Sequence, residues 1–194
     1  MTEKFFQYQT ENVRIRIWEV IMELTSDEYF ERLLRSYSDY FDIVRDTSYA
    51  DLSVAAEAAF HSRSEKYVLV RKAQLWAAEA HEYVFFVRTE RLDPETYGTY
   101  SRVILEEGLS RVKPEKDHMY TYITLLFLAD SVDQEVQKLI AKTRCHKDYL
   151  FSIHGWADYR VAAWDETEQK AYTNRAGRPL KQTFLSVKKG GNKK

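Results

Sequence analysis

Residues 119–130 read MYTYITLLFLAD, and this stretch decides the fold class. Between Ile123 and Ala129, apolar residues stand at both odd and even positions. Because successive side chains of a strand point to opposite faces, this run is typical of a strand that is buried on both sides. The stretch therefore predicts the central strand of a sheet that helices cover.

Helix signals stand on both sides of this strand. Asp93 suits the N-cap of a helix that begins at Pro94, because the fixed φ of proline fits the first helical position. After the strand, Ser131 and Gln134 have the spacing of a capping box, with Gln134 at the third helical position. Three predicted strands that these helices separate should run parallel through crossover connections: 80–90, 119–129 and 149–164.

The other segments surround this centre. Residues 24–46 predict an amphipathic N-terminal helix, because apolar residues recur every three or four positions. Strands at 64–76 and 80–90 form a predicted hairpin with a tight link at Ala77–Ala78. Two segments fit either a strand or a helix, 12–23 and 52–60. Near the end of the sequence, a turn signal at 174–177 joins two further predicted strands, 169–174 and 179–187.

Together these elements predict an α/β or α+β fold with a mixed sheet of about 5–7 strands. Its centre is a parallel βαβαβ unit, and antiparallel hairpins follow at the C-terminal side. The length of 194 residues fits a single domain over 1–187, followed by a basic disordered tail over 188–194.

Composition narrows the class of function. The net charge of −1 gives no overall field for nucleic acid or membranes, so nucleic-acid binding is unlikely on this evidence. Only residues 175–194 are strongly basic, with seven Lys or Arg and no acidic residue. Cys145 is the single cysteine, which favours a reducing compartment. With no signal peptide and no apolar run of about 18 residues, we expect a cytoplasmic protein without membrane contact.

Motifs of the common nucleotide-binding and hydrolase families are absent, and the sequence predicts no cofactor and no metal. One candidate follows from position: Asp130 ends the central strand, where open α/β sheets gather ligands. Asp158 followed by Glu168-Gln169-Lys170 resembles the acid and E-x-K order of the PD-(D/E)xK nucleases. That family continues with a helix, whereas this sequence predicts strands. The alternative for Asp130 is a structural role at the start of the next helix.

Polar residues on two predicted strands form the other candidate, a ligand or partner face. His154, Trp156, Asp158 and Arg160 alternate along residues 149–164, and Trp156 needs a cover because an exposed Trp is unfavourable. On residues 80–90 and just before them, one face carries Glu79, His81 and Tyr83. The simpler interpretation is a half-exposed strand face.

These observations leave two hypotheses open, and whether the protein is an enzyme stays undecided. The first is a non-enzymatic module that binds a protein partner or a small ligand, or self-associates as a homodimer through its aromatic surface. The alternative is a metal-dependent hydrolase or nuclease that uses Asp130, Asp158 and Glu168 with His81 or His154. The alternative requires these side chains to converge.

Overall fold

The computed structural model describes residues 24–68 and 73–190, with the side chains of residues 24–62 and 78–190. The predictions for residues 12–23 and 191–194 lie outside the described residues. The described chain forms four helices: α1 (Ser26–Arg35), α2 (Pro94–Ser110), α3 (Gln134–Lys142) and α4 (Leu180–Lys188). Its seven strands are β1 (Asp42–Tyr49), β2 (Leu52–Val68), β3 (Ala73–Leu92), β4 (His118–Val132), β5 (His146–Asp148), β6 (Trp156–Asp165) and β7 (Lys170–Thr173).

All seven strands belong to one mixed sheet, so the predicted fold class is confirmed as α+β. The strand order is β1-β2-β3-β4-β6-β5, and β7 also pairs with β6. Strands β3, β4 and β6 are parallel, and every other pairing is antiparallel. Residues 119–130 lie in β4 at the centre, where pairing with β3 and β6 sets Phe86, Leu126 and Ala162 side by side.

Helices cover both faces of this sheet. The α1/α4 face carries the even-numbered residues of β3, β4 and β6, and its core includes Phe86, Leu126 and Trp164. The α2/α3 face carries the odd-numbered residues, and its core includes Phe85, Phe127 and Val161. Two buried cores thus share the same strands, which explains why the sequence of β4 is apolar at odd and even positions alike.

The predicted helix over 24–46 is too long. Helix α1 begins after a capping box between Thr25 and Glu28, and it ends at Arg35. The hydroxyl groups of Ser36 and Ser38 donate to the carbonyls of Leu33 and Arg35, and serine competes in this way with helical bonding.

Residues 42–46 at the end of the predicted helix instead begin strand β1, which pairs antiparallel with β2. The two-residue turn Ala50–Asp51 joins them, with positive φ at both residues as a type I′ hairpin requires. This pairing also decides the ambiguous segment 52–60 as strand.

The hairpin of β2 and β3 is confirmed, but its predicted link is wrong. Ala77 and Ala78 pair with Glu65 and Ser64 inside the strands, and the pairing continues as far as Val68 and Ala73. Because alanine has little turn preference, cross-strand pairing overrides the local signal.

Three predictions in the C-terminal half are also corrected. Residues 179–187 form helix α4 instead of a strand, because Leu180, Phe184 and Val187 recur at helical spacing and are all buried. The predicted strand over 149–164 begins only at Trp156. The capping box at Ser131 is absent, because β4 continues to Val132 and Asp133 is the N-cap, with its carboxylate bound by Arg91.

Candidate functional site

The N-terminal edge of the parallel strands collects the chain's histidines. All five histidines lie near this edge, one each on β2, β3, β4 and β5 and one on the loop that precedes β6. His61 pairs with His81, and Glu79 pairs with His118. The register of the sheet therefore joins residues that are far apart in the sequence.

Three of these histidines meet on the α2/α3 face. The Nδ1 atoms of His61 and His81 lie 2.8 Å apart, so one ring must be a neutral acceptor for the other. The rings of His81 and His118 stack at 6.1 Å. His118 is buried, and its two nitrogens contact the His154 carbonyl oxygen at 2.7 Å and the Thr121 hydroxyl at 2.8 Å.

The surroundings of His81 favour its neutral form. Burial, and then the nearby His61, lower the pKa of His81, while Glu79 opposes this effect. The Oε2 atom of Glu79 lies 3.8 Å from Nε2 of His81. Tyr83, two residues further along β3, contacts the His61 ring at 5.6 Å. The predicted group of Glu79, His81 and Tyr83 is thus one part of a histidine cluster.

An aromatic ladder lies on the opposite α1/α4 face. Trp156 stacks on Tyr120 with 5.3 Å between ring centroids, and it meets Tyr122 edge-on at 5.4 Å. The guanidinium of Arg160 lies over the Tyr122 ring, 3.0 Å from its centroid. Arg160 also contacts Glu82 at 3.4 Å. These side chains are half-buried, a place where aromatic rings and arginine commonly recognise partners.

The charges of Glu82 and Arg160 are only partly compensated by their hydrogen-bond partners. Burial raises the pKa of Glu82, although Arg160 and the Thr124 hydroxyl hold its charged form. The Nε atom of Arg160 is buried and has no hydrogen-bond partner among the described residues. An ion pair in this position contributes less stability than its geometry suggests, because both charges lose water.

Beside the ladder, Asp158 binds His146 of strand β5. The Nδ1 atom of His146 lies 2.7 Å from Asp158, and its Nε2 atom lies 3.1 Å from Asp148. The hydrogen bond to Asp158 raises the pKa of His146. The His146 ring also contacts Trp156 at 5.8 Å, so this pair continues the ladder to the edge of the sheet.

The loop Tyr149–Gly155 projects from the same edge and exposes apolar side chains. Phe151 is 94% exposed, Ile153 68% and Leu150 57%. Three consecutive residues have left-handed φ values, 48° at Leu150, 51° at Phe151 and 64° at Ser152. For residues other than glycine, each such value costs about 1–2 kcal/mol.

Hydrogen bonds hold this loop closed. The amides of Tyr149 and His154 donate to the carbonyls of Gly155 and Tyr149, at 3.0 and 3.1 Å. Gly155 has a φ of 73°, and a Cβ atom there would clash with the His118 and Met119 carbonyl oxygens. The loop is therefore fixed to the beginning of β4.

The predicted site residues fall into three groups. Trp156, Asp158 and Arg160 lie together on the α1/α4 face, and Glu79, His81 and Tyr83 lie on the other face. His154 belongs to the loop, where its Nδ1 contacts the Pro114 carbonyl oxygen at 3.0 Å and its own carbonyl holds His118.

Asp130 and Glu168 lie at the opposite edge. Asp158 pairs with Tyr122, and Asp130 is eight residues further along β4, which is roughly 26 Å at strand spacing. Asp130 is exposed and lines a cavity of about 520 Å³ with Arg88 and Asp27. Glu168 accepts a hydrogen bond from Tyr172. The three candidate carboxylates are thus dispersed.

Several residues of the histidine cluster and of the aromatic ladder are not among the site residues that the sequence predicts. Tyr120 and Tyr122 could have been found, because they alternate on one face of the stretch MYTYI before the fully apolar run begins. His61, Glu82 and His118 carry no local signal, since only strand register brings them to their partners.

Two kinds of feature are absent from the described residues. Among the side chains of residues 24–62 and 78–190, no three His, Cys, Asp or Glu are grouped to hold a metal ion. None of the helices in these ranges has both the length and the apolar composition that crossing a bilayer requires.

Fold and site together define an α+β protein whose mixed sheet carries a histidine cluster and an aromatic ladder at one edge. Residues 25–186 match the family described as Domain of unknown function (DUF8052), and the chain belongs to this family. The match runs from the capping residue of α1 into α4, so it spans all seven strands. Neither a curated protein nor a solved structure matches the chain.

Proposed function

We propose that the protein is a non-enzymatic binding module that docks a protein partner on the loop Tyr149–Gly155. The observation that carries this proposal is the exposure of Leu150, Phe151 and Ile153 on a single loop. Burying one such side chain in a partner's apolar pocket contributes about 1.5–3 kcal/mol. Three neighbouring side chains of this kind suffice for the centre of an interface.

The conformation of the loop supports the same function. Its hydrogen bonds and the close contacts of Gly155 fix the backbone that carries the apolar side chains, so little backbone entropy is lost on binding. The left-handed residues Leu150 to Ser152 store strain, and strain of this kind concentrates at functional sites.

The neighbouring ladder extends the proposed surface. Trp156 follows the loop directly, and Tyr120, Tyr122 and Arg160 continue from it. Trp, Tyr and Arg are the residue types that most often dominate binding energy at protein interfaces. The hydrolase alternative has less support, because its carboxylates are dispersed between the two edges of the sheet.

Site-specific photo-crosslinking tests this proposal. A photoreactive phenylalanine analogue replaces Phe151 in one variant and Tyr40 in a control, since Tyr40 is 77% exposed but lies outside the loop. After irradiation in the native cell, position 151 should give one discrete adduct that position 40 does not. Replacing Leu150 and Ile153 by Ser in the same variant should abolish the adduct.

The mass of the adduct shows which protein docks on the loop. Twice the mass of the chain would identify a second copy, and another discrete mass would identify a different protein. Identical adducts from positions 151 and 40, or an adduct that survives the two serine substitutions, would refute docking on this loop.

A further inference from the structure

A cavity opens at the edge of strand β6, between its two short partner strands. Strand β5 pairs with residues 156–158, and β7 pairs with residues 162–165. Between them, the side chain of Asn174 makes the hydrogen bonds that a paired strand would make with β6. It accepts a hydrogen bond from the amide of Val161 at 3.1 Å and donates one to the carbonyl of Tyr159 at 2.9 Å. The backbone at the floor of the cavity is therefore satisfied and rigid.

The cavity has the size of a small-molecule site. Its volume is about 410 Å³, within the usual range for ligand pockets of about 300–1,000 Å³. Asn174 forms part of the floor and Cys145 part of the wall. Burial raises the pKa of Cys145, so the thiol offers a neutral surface.

Positive charge dominates the lining. Arg144 and Arg175 both border the cavity and are exposed, and neither forms an ion pair or a hydrogen bond with a residue in the described ranges. His146 also borders it, and the charge of the lining Asp158 is taken up by its hydrogen bond to that ring. The guanidinium groups of Arg144 and Arg175 are thus available to bind an anion.

We infer that this cavity binds a small organic phosphate. A guanidinium donates two parallel hydrogen bonds to phosphate, and two guanidinium groups match the dianion of a phosphate monoester. The neutral wall near Cys145 leaves room for the organic part of the ligand. This site lies apart from the loop Tyr149–Gly155 and does not depend on the proposed function.

Isothermal titration calorimetry of the full chain at pH 7 tests the inference. Phenyl phosphate is the probe, benzoate is its carboxylate counterpart, and benzyl alcohol is a neutral ring of similar size. Phenyl phosphate should give saturable binding with a stoichiometry of one. Benzoate should bind more weakly because it carries one charge, and benzyl alcohol should give no saturable signal.

Substitutions locate the binding. Arg144→Gln and Arg175→Gln should each raise Kd for phenyl phosphate about tenfold, the factor that loss of one charged hydrogen-bonded contact gives. Arg178→Gln is the matched control, because Arg178 is exposed on the same turn and does not line the cavity. The control should leave Kd within about twofold, which is a small fraction of that contact.

Three outcomes would overturn the inference. The first is the absence of saturable binding up to about 10 mM phenyl phosphate, a limit near the weakest specific affinities. The second is benzoate binding as tightly as phenyl phosphate. The third is an effect of Arg178→Gln as large as that of the two lining variants. Circular dichroism of each variant confirms that the sheet is intact.

Discussion

The two ends of the same parallel strands have opposite characters. At the C-terminal half of the α1/α4 face, Phe86, Leu128 and Trp164 are buried under α1 and α4. At the N-terminal half, the same face carries Glu82, Tyr122 and Trp156, and the described helices contribute none of the ladder's ring contacts. The pairing of β3 with β4 keeps one register from Ala80 to Leu92, so the change follows from the residues that occupy each half and from the helices that cover only one of them. The buried core and the proposed docking surface are thus separated along the length of the strands.

The largest expected effect tests this separation with two tryptophans. Trp164 is 1% exposed and stacks with Tyr29 and Phe184, so Trp164→Ala should lower the free energy of unfolding by about 3–5 kcal/mol. The ladder residue Trp156 is half-buried, so Trp156→Ala should cost about 1–2 kcal/mol. Urea denaturation followed by circular dichroism gives both values, and equal losses would contradict the comparison.

The next effect concerns the attachment of the loop. Gly155→Ala places a Cβ atom against two carbonyl oxygens at a positive φ, which should lower the free energy of unfolding by about 1–3 kcal/mol. Gly98 in α2 is the control, because a Cβ atom there meets nothing within 4 Å. Gly98→Ala should instead stabilise by about 0.5–1 kcal/mol. Thermal and urea unfolding of both variants check the signs, and a neutral Gly155→Ala would mean that the loop moves freely.

A smaller expected effect concerns the charge of Glu82, which Glu82→Gln removes while it keeps the shape of the side chain. The folded state raises the pKa of Glu82 above its ordinary 4.5, so the stability linked to this group is complete below pH 4.5 and is lost as pH rises through the raised pKa. Glu82→Gln has no such loss and still accepts a bond from Thr124. The stability of the variant relative to the wild type should therefore increase from pH 4 to pH 8. A constant difference across these pH values would show that Glu82 ionises normally.

The smallest expected effect is at the most exposed apolar residue. Phe151 is 94% exposed, so Phe151→Ser should change the free energy of unfolding by no more than about 0.5 kcal/mol. Phe184 in α4 is 1% exposed, and Phe184→Ala should cost about 3–5 kcal/mol. Chemical denaturation compares the two directly. A loss above about 1 kcal/mol at Phe151 would indicate packing within the fold in place of a free surface.

The sequence predicts the centre of this fold well and its margins poorly. The apolar run in β4 has only one stable arrangement, and the helices around it force parallel neighbours. Elements at the edge of the sheet lack such constraints. The sequence of β1 fits a helix as well as a strand, and its pairing with β2 determines that it is a strand. In α4, Leu180, Phe184 and Val187 have helical spacing, but the apolar and β-branched residues of the same segment also favour a strand.

The candidate site was predicted in part for a similar reason. Trp156, Asp158 and Arg160 share one strand, so alternation alone groups them. His81 meets His61 across a hairpin and His118 across a parallel pair, and these contacts depend on register that no local pattern contains. A general property of open α/β sheets points to Asp130, whereas the histidine cluster and the aromatic ladder lie at the opposite edge.

The contact between α1 and α4 has a consequence for synthesis of the chain. The Tyr29 hydroxyl donates to the Phe184 carbonyl, 155 residues later, and both rings pack on Trp164. At translation rates of about 5–20 residues per second, this interval lasts about 8–30 s. Throughout it, the Tyr29 hydroxyl lacks its native acceptor, and the Tyr29 ring lacks its stacking partner until Trp164 is made. A chaperone that shields apolar helix faces on the ribosome would therefore find this face of α1 uncovered for most of that time.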